Sequence, residues 1–151
     1  MIKSAIILAS EVSLPIAQTI KKEIGAEIYS KSLQDGTIRI DSIADCVADV
    51  FDKVESIIFI GAMGICIRTI APHIKNKYTD PAIINIDSTG HYVISVLSGH
   101  VGGANELTKR LAHIIGGEAI ITTQSDNTNL WALDTLGKDY NWTTSTNSEN
   151  L

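Results

Sequence analysis

Residues 56–64, with the sequence SIIFIGAMG, decide the fold. The run SIIFI is rich in β-branched and aromatic side chains and does not alternate with polar ones, which is typical of a strand buried on both faces of a parallel sheet. It leads directly into Gly61-Ala62-Met63-Gly64, and a helical pattern follows over residues 65–75, bent or stopped before Pro72. A buried strand that runs through glycines into a helix indicates an α/β fold.

The same alternation extends in both directions from this stretch. Strands are predicted at residues 2–9, 26–30, 82–87, 92–97 and 119–122, and helices at 14–24, 42–54, 104–115 and 126–136. The strands at 82–87 and 92–97 flank Ser88-Thr89-Gly90, which predicts a hairpin. The predicted fold is therefore a three-layer, Rossmann-like or flavodoxin-like α/β domain with a mostly parallel sheet and one hairpin.

The length of 151 residues fits one domain. We expect that domain to cover residues 1–139. The remaining segment, 140–151, reads YNWTTSTNSENL and is rich in Ser, Thr and Asn. This composition predicts a polar tail, or the start of a linker to a further domain, rather than a core element.

Charge and hydropathy exclude several classes of protein. The 12 Lys and Arg residues against 17 Asp and Glu give a net charge of −5, and no basic block is present, so nucleic acid is not an expected partner. No apolar run approaches the ~18 residues of a membrane span. The apolar stretch at residues 5–9 is too short for a signal peptide and is followed by Glu11, which favours a cytoplasmic protein.

Cysteine and histidine usage argues against a metal centre built by the protein. Cys46 and Cys66 both lie in apolar patterns and are predicted to be buried free thiols. No two of the four histidines have metal-ligand spacing on one element. We therefore expect no metal ligands among the side chains of this chain.

The first glycine-rich loop, GAMGICIR at residues 61–68, follows a predicted strand. In parallel sheets, ligands bind beyond the carboxyl ends of the strands. Arg68, one turn into the following helix, could pair with a carboxylate or phosphate. The alternative is a tight turn with a solvent-facing arginine. The loop matches neither the dinucleotide-binding fingerprint nor a P-loop.

The second loop, SGHVGGANE at residues 98–106, also precedes a helix and could cradle an anion. Its His100 is a candidate general base, general acid or axial metal ligand, or it only shapes the loop by bonding a carbonyl. Residues at loop or strand-end positions could line a polar cleft, although such residues are more often caps or turns: Asp80, Thr122, Thr123, Ser125 and Asp126. Because both loops follow strands, we expect them side by side at one sheet edge.

Three segments together carry a resemblance to a known family. FIGAMGICIRTIAPHIKNKYTDPAIINID, VISVLSGHVGGANELTKRLA and ITTQSD, between residues 59 and 126, resemble the amino-terminal domain of the CbiG family, the cobalt-precorrin-5A hydrolases of anaerobic cobalamin biosynthesis. The resemblance implies opening of the δ-lactone of cobalt-precorrin-5A and release of acetaldehyde, giving cobalt-precorrin-5B.

Given that reaction, we expect His100 to be catalytic through proton transfer. We expect the backbone N–H groups of Gly99, Gly102 and Gly103 to stabilise anions. The residues expected to contact substrate are Gly61, Met63, Gly64, Arg68, Asp80, Ser98, Gly99, Gly102, Gly103, Asn105, Thr122 and Asp126. No cofactor is expected to belong to the protein, because the cobalt is carried within the substrate. Expected partners are the cobalt-tetrapyrrole and a carboxyl-terminal domain or separate pathway protein, with a second copy of the chain as a further candidate.

Two other functions remain open. The chain could be a non-catalytic corrinoid-binding domain that serves a missing carboxyl-terminal domain. It could also be a nucleotide or phosphate binder of flavodoxin-like shape, which the absence of a dinucleotide fingerprint disfavours.

Overall fold

A seven-stranded sheet runs through residues 3–124, the part of the chain that the computed structural model describes. Its strands are β1 Ser4–Leu8, β2 Glu27–Ser30, β3 Thr37–Arg39, β4 Ser56–Ile60, β5 Ala82–Ile86, β6 Tyr92–Leu97 and β7 Glu118–Ile120. Across the sheet they follow the order β3-β2-β1-β4-β5-β6-β7.

The sheet contains two groups of strands that run in opposite directions. Strands β1 to β5 are mutually parallel, whereas β6 pairs antiparallel with β5, and β7 is parallel to β6. The hairpin register sets Val93 opposite Ile86 and Leu97 opposite Ile83. We call the edge where β1 to β5 end the carboxyl edge, and the edge where they begin the amino edge. Strands β6 and β7 therefore end at the amino edge.

Four helices cover the two faces of the sheet in the described residues: α1 Leu14–Ile24, α2 Ile43–Val50, α3 Met63–Ile70 and α4 Ala104–Ile115. Alternate side chains of β1 and β4 serve opposite faces. Ile6 and Ile58 pack with α1 and α4, while Ile7 and Phe59 pack with α2 and α3. Burial of both faces explains why these strands have no polar alternation, and it confirms the three-layer α/β fold.

Local sequence explains where the helices begin and end. Pro15 lies in the first turn of α1, and Gly25 ends that helix in the left-handed conformation at φ 71°. The Ser42 side chain caps α2 by accepting a hydrogen bond from the Asp45 N–H. The bounds of α1 and α4 match the predicted ones. Helix α3 is shorter than predicted, because Pro72 belongs to a separate 3₁₀ turn, Ala71–His73.

Other predictions differ from the structure or concern residues outside the described part of the chain. Strand β3 was not predicted, because three largely exposed residues carry no burial pattern. The predicted helix at 126–136 and the tail at 140–151 lie outside the described residues.

Both cysteines are buried free thiols, as predicted. Among the described helices, none has the length and apolar character that crossing a membrane requires.

Candidate functional site

The two glycine-rich loops lie at opposite edges of the sheet, so the expectation of a single cleft is wrong. The loop at residues 61–64 follows β4 at the carboxyl edge, whereas the loop at 98–103 follows β6 at the amino edge. The physical reason is the β5–β6 hairpin, which reverses the direction of the chain between the two loops. A ligand that contacts one loop therefore does not contact the other across a shared crevice.

Gly61 is required by packing within the protein. A Cβ on this residue would lie 2.5 Å from the Ala9 Cβ at the end of β1. Its N–H donates to the Ile86 carbonyl at 2.9 Å, and its carbonyl accepts from Asn85 Nδ2 at 3.0 Å. The loop therefore joins the ends of β1, β4 and β5, and its first glycine needs no ligand to explain it.

The rest of the first loop is more open. Gly64 is exposed, and a Cβ there would meet no heavy atom within 4 Å. Met63 is the half-buried first residue of α3, and the N-cap residue before it, Ala62, offers no side-chain hydrogen bond. Arg68 is exposed in the last turn of α3 and makes no ion pair with other described residues. Because α3 and α4 cover opposite faces of the sheet, Arg68 is separated from the second loop.

The second loop is held in a conformation that only small residues permit. Ser98 is buried with φ 60°, and its hydroxyl donates to the Asp80 carbonyl at 3.2 Å. A Cβ on Gly102 would lie 2.5 Å from the Ser98 Cβ and 2.8 Å from the Ser98 carbonyl oxygen. Gly103 adopts φ 80°. These constraints fix the path of the chain into α4.

Several backbone N–H groups at this position are already used by the protein. The Gly103 N–H, expected to face an anion, donates instead to the His100 carbonyl at 3.2 Å. The Ala104 and Asn105 N–H groups donate to the carbonyls of Ser98 and Gly99, both at 3.1 Å. The start of α4 is thus capped by its own loop.

Asn105 connects three elements from a buried position. Its Oδ1 accepts from the Ser95 hydroxyl of β6 at 2.7 Å, and its Nδ2 donates to the Thr123 hydroxyl beyond β7 at 2.7 Å. A Cβ on Gly99 would approach Oδ1 to 2.8 Å. The side chain predicted to contact substrate is therefore bonded within the protein, where it holds the ends of β6 and β7 together.

A small cleft, which we call the amino-edge cleft, lies at these strand ends and has both polar and apolar lining residues. Its volume is about 180 Å³, and it is lined by Ser95, Val96, Leu97, Ser98, Gly99, Asn105, Thr122 and Thr123. His100, the next residue of the loop, is half-buried and lies beside this lining rather than within it. Ligand pockets of drug size typically measure ~300–1,000 Å³, so the cleft accommodates only one part of a large molecule.

Asp80 lies at the same edge and also acts within the protein. Its carboxylate is buried and accepts the Lys75 N–H at 3.0 and 3.1 Å, and its carbonyl receives the Ser98 hydroxyl. Ser125 and Asp126 lie outside the described residues. The structure thus brings Asp80, Ser98, Gly99, Asn105 and Thr122 together and leaves Gly61, Met63, Gly64 and Arg68 elsewhere.

Sequence reasoning missed Ser95 in this cleft, whereas it named Thr123, which does belong to the lining. The signal for Ser95 was present, because it interrupts the apolar strand YVISVL with a hydroxyl. The buried thiols do not supply a nucleophile, since burial raises the pKa of Cys66 to about 12 and that of Cys46 to about 11. No group of three or more potential metal ligands occurs among the described residues.

The fold and the amino-edge cleft define a three-layer α/β domain with a candidate site beyond the ends of the parallel strands β6 and β7. Residues 45–126 match the sequence model of the CbiG_N family, described as "Cobalamin synthesis G N-terminal". This match covers more than half of the chain, and the chain belongs to that family. The resemblance noted in the sequence is thereby confirmed.

Named relatives agree with this assignment. The chain is 44% identical over 112 residues to a cobalt-precorrin-5A hydrolase of Salmonella typhimurium, covering 74% of this chain and 32% of the relative. A hydrolase of the same name from Priestia megaterium is 43% identical over 101 residues, covering 67% and 27%. The chain spans about a third of the length of these relatives.

A solved structure shares the fold. The crystal structure of a cobalamin biosynthesis protein G homologue from Sulfolobus solfataricus superposes with a TM-score of 0.64 at 28% identity. The similarity covers 84% of this chain and 39% of that chain. The agreement in fold supports the family assignment over most of the chain.

Proposed function

We propose that this chain forms the amino-terminal part of a cobalt-precorrin-5A hydrolase and acts in cobalamin biosynthesis. The observation that carries the proposal is the family match over residues 45–126, together with relatives bearing that name. The substrate would be a cobalt-tetrapyrrole, and its cobalt would belong to the substrate and not to the protein. The reaction would open the δ-lactone and release acetaldehyde.

The amino-edge cleft is the proposed place of this chemistry. Its volume of about 180 Å³ suits the lactone or one peripheral acid group, so the macrocycle would lie across the mouth of the cleft. The Thr122 hydroxyl lines the cleft and can donate a hydrogen bond to a lactone oxygen. The bonds from Asn105 and the fixed loop would keep the cleft lining in place before substrate arrives.

His100 is the proposed proton-transfer group. Lactone hydrolysis joins water to the acyl carbon while the ring C–O bond breaks, so one proton leaves the water and one reaches the departing alkoxide. An imidazole can accept the first proton and supply the second near neutral pH. The later loss of acetaldehyde breaks a carbon–carbon bond, with the electron pair retained by the macrocycle and a hydroxyl proton removed.

The test compares His100→Ala and His100→Gln in the complete enzyme. If the ring transfers protons, both variants should lose turnover by roughly 10²–10⁴-fold, since glutamine keeps polarity but not basicity. Corrinoid affinity, measured by absorbance titration, should change much less. Thr122→Val serves as the comparison for loss of a single cleft hydroxyl.

A second candidate is a non-catalytic corrinoid-binding domain. It is favoured by one observation, that the Gly103 N–H and the Asn105 side chain, both expected to serve the substrate, are bonded within the protein. This candidate predicts that both His100 variants turn over like the wild type while corrinoid binding falls. Titration with nucleotides in the same assay tests the phosphate-binding alternative, for which we expect no binding.

A further inference from the structure

A second groove opens at the amino edge on the α1–α4 side of the sheet. Its volume is about 220 Å³, and its lining includes Lys3, Glu55, Gly102 and Arg110. Gly102 belongs to the loop whose Ser98 and Gly99 line the amino-edge cleft. The loop at 98–103 is therefore shared by two cavities that together could receive neighbouring parts of one large ligand.

The Arg110 guanidinium is held in place by an uncharged hydrogen-bond acceptor. Its Nη2 donates to the Glu23 carbonyl at 3.1 Å, which is a neutral acceptor at the end of α1. No carboxylate within the described part of the chain pairs with it. By contrast, Lys109 on the same helix pairs with Glu106 at 2.8 Å. The charge of this guanidinium is therefore not compensated by a carboxylate within residues 3–124, and its remaining N–H donors can bind an anion.

The charge balance of the groove differs from that of the protein. Lys3 and Arg110 are opposed only by Glu55 among the charged lining residues, which leaves a local excess of one positive charge. The whole chain carries −5. Lys3 is exposed and has no ion-pair partner among residues 3–124. The local positive charge of this groove therefore attracts an anion, although the net negative charge of the whole chain repels it.

A pair of buried hydroxyls adds donor capacity to the groove. Ser4 Oγ and Ser56 Oγ lie 2.7 Å apart, are both buried, and belong to the groove lining. Two hydroxyls carry two hydrogens, and the bond between them uses one. The other hydrogen can be donated to an oxygen atom placed in the groove.

We propose that this groove anchors a peripheral carboxylate of the tetrapyrrole, with Arg110 and Lys3 as the pairing cations. The inference rests on the proposed function and names the part of the substrate that the groove would hold. It assigns to Arg110 the role expected for Arg68, because Arg110 lies beside the second loop whereas Arg68 lies on a helix of the opposite face.

The experiment measures binding of a fully carboxylated cobalt corrinoid and of its fully esterified form to the intact chain. Arg110→Gln should weaken binding of the acid by roughly 10–100-fold, the range for loss of a charge-assisted pair. Lys3→Gln should have a smaller effect in the same direction. Added salt should reduce the difference between wild type and variants. The ester should bind wild type and Arg110→Gln equally.

Two matched control variants test whether the loss of affinity is specific to the groove. Lys109→Gln removes the same charge from the adjacent position of α4 and should leave affinity unchanged. Arg68→Gln removes an exposed arginine from α3 and should do the same. Thermal melting of each variant reports on folding. Should Arg110→Gln fail to fold, Arg110→Lys and Lys3→Gln carry the test, and the lysine variant should retain most of the affinity.

The outcomes separate this inference from the proposed function. If the wild type binds neither corrinoid, the proposed function fails and the inference fails with it. If the wild type binds the acid and Arg110→Gln and Lys3→Gln bind it equally well, the anchoring role is wrong while the function stands. A loss confined to Arg68→Gln would place the carboxylate on the α3 face and overturn the assignment.

Discussion

The loop after β4 and the loop after β6 look alike in sequence, yet their glycines meet different physical constraints. In the first loop, Gly61 is pressed against Ala9, whereas Gly64 faces open space. In the second loop, Gly99 and Gly102 are both confined, by Asn105 and by Ser98. Glycine content alone therefore does not locate a ligand, because some glycines are needed for packing and others are not.

The difference also separates two kinds of strand end. The first loop is a junction at which β1, β4 and β5 meet by hydrogen bonds to Gly61. The second loop is a fixed segment that borders the amino-edge cleft on one side and a charged groove on the other. Substitutions at the glycines test this contrast directly.

The largest effect on stability is expected for Gly102→Ala. The new methyl group would meet both the Cβ and the carbonyl oxygen of Ser98, which is buried and cannot easily move. We expect the free energy of unfolding to fall by about 3 kcal/mol, the upper end of the usual cost of overpacking. Urea denaturation followed by circular dichroism measures this. A loss below ~0.5 kcal/mol would show that the loop is not rigid.

The Gly61→Ala change is expected to cost about 2 kcal/mol by the same mechanism. Its methyl group would collide with the Ala9 Cβ at the end of β1. The double variant Ala9→Gly with Gly61→Ala removes that collision and should recover part of the loss in a denaturation cycle. Additive effects of the two changes would mean that Gly61 is required for a reason other than contact with Ala9.

Coupling between Gly99 and Asn105 is expected to be about 1 kcal/mol. Gly99→Ala alone should be destabilising, because the Asn105 side chain is held by Ser95 and Thr123 and cannot withdraw. In an Asn105→Ala background the space is vacated, and the cost of Gly99→Ala should shrink. Equal costs in both backgrounds, measured by chemical denaturation, would contradict the geometry of this cleft.

The smallest effect, with the opposite sign, is expected for Gly64→Ala. The residue lies in the first turn of α3 with no heavy atom near the position of a Cβ. Alanine favours a helix over glycine by about 0.8–1 kcal/mol, so a gain of up to about that size is predicted. A higher melting temperature with unchanged corrinoid affinity would confirm that the first loop has a structural role. A loss of corrinoid affinity would instead indicate that the first loop contacts the ligand.

Much of the fold follows from the sequence, since buried strands and amphipathic helices leave local patterns. Helices α1 and α4 have their predicted bounds because Gly25 and Gly116 end them in the left-handed conformation. Strand β3 escaped prediction because its three residues pair at the border of the sheet with no buried side chain. Edge pairing of so short a segment is decided by its neighbour β2 and not by its own residues.

The site was predictable only in part. The residue types of the second loop drew attention to it, but they did not reveal that Asn105 and Asp80 are bonded within the protein. Lys3 and Arg110 carry no local signal, since they are distant in sequence and meet only because α4 packs on the sheet beside the start of β1. The predicted hairpin already implied the reversal that separates the two loops, so this feature was within reach of the sequence.

The reversed hairpin also sets the direction of the electric field at each edge of the sheet. Helices α1, α2 and α3 follow strands that end at the carboxyl edge, so their positive ends lie there and their negative ends point towards the amino edge. Helix α4 alone, among the described helices, presents its positive end at the amino edge. Among the described helices, α4 is therefore the one whose dipole favours an anion at this edge. A polycarboxylate would therefore arrive in one preferred orientation, with its charge-rich side against residues 98–103.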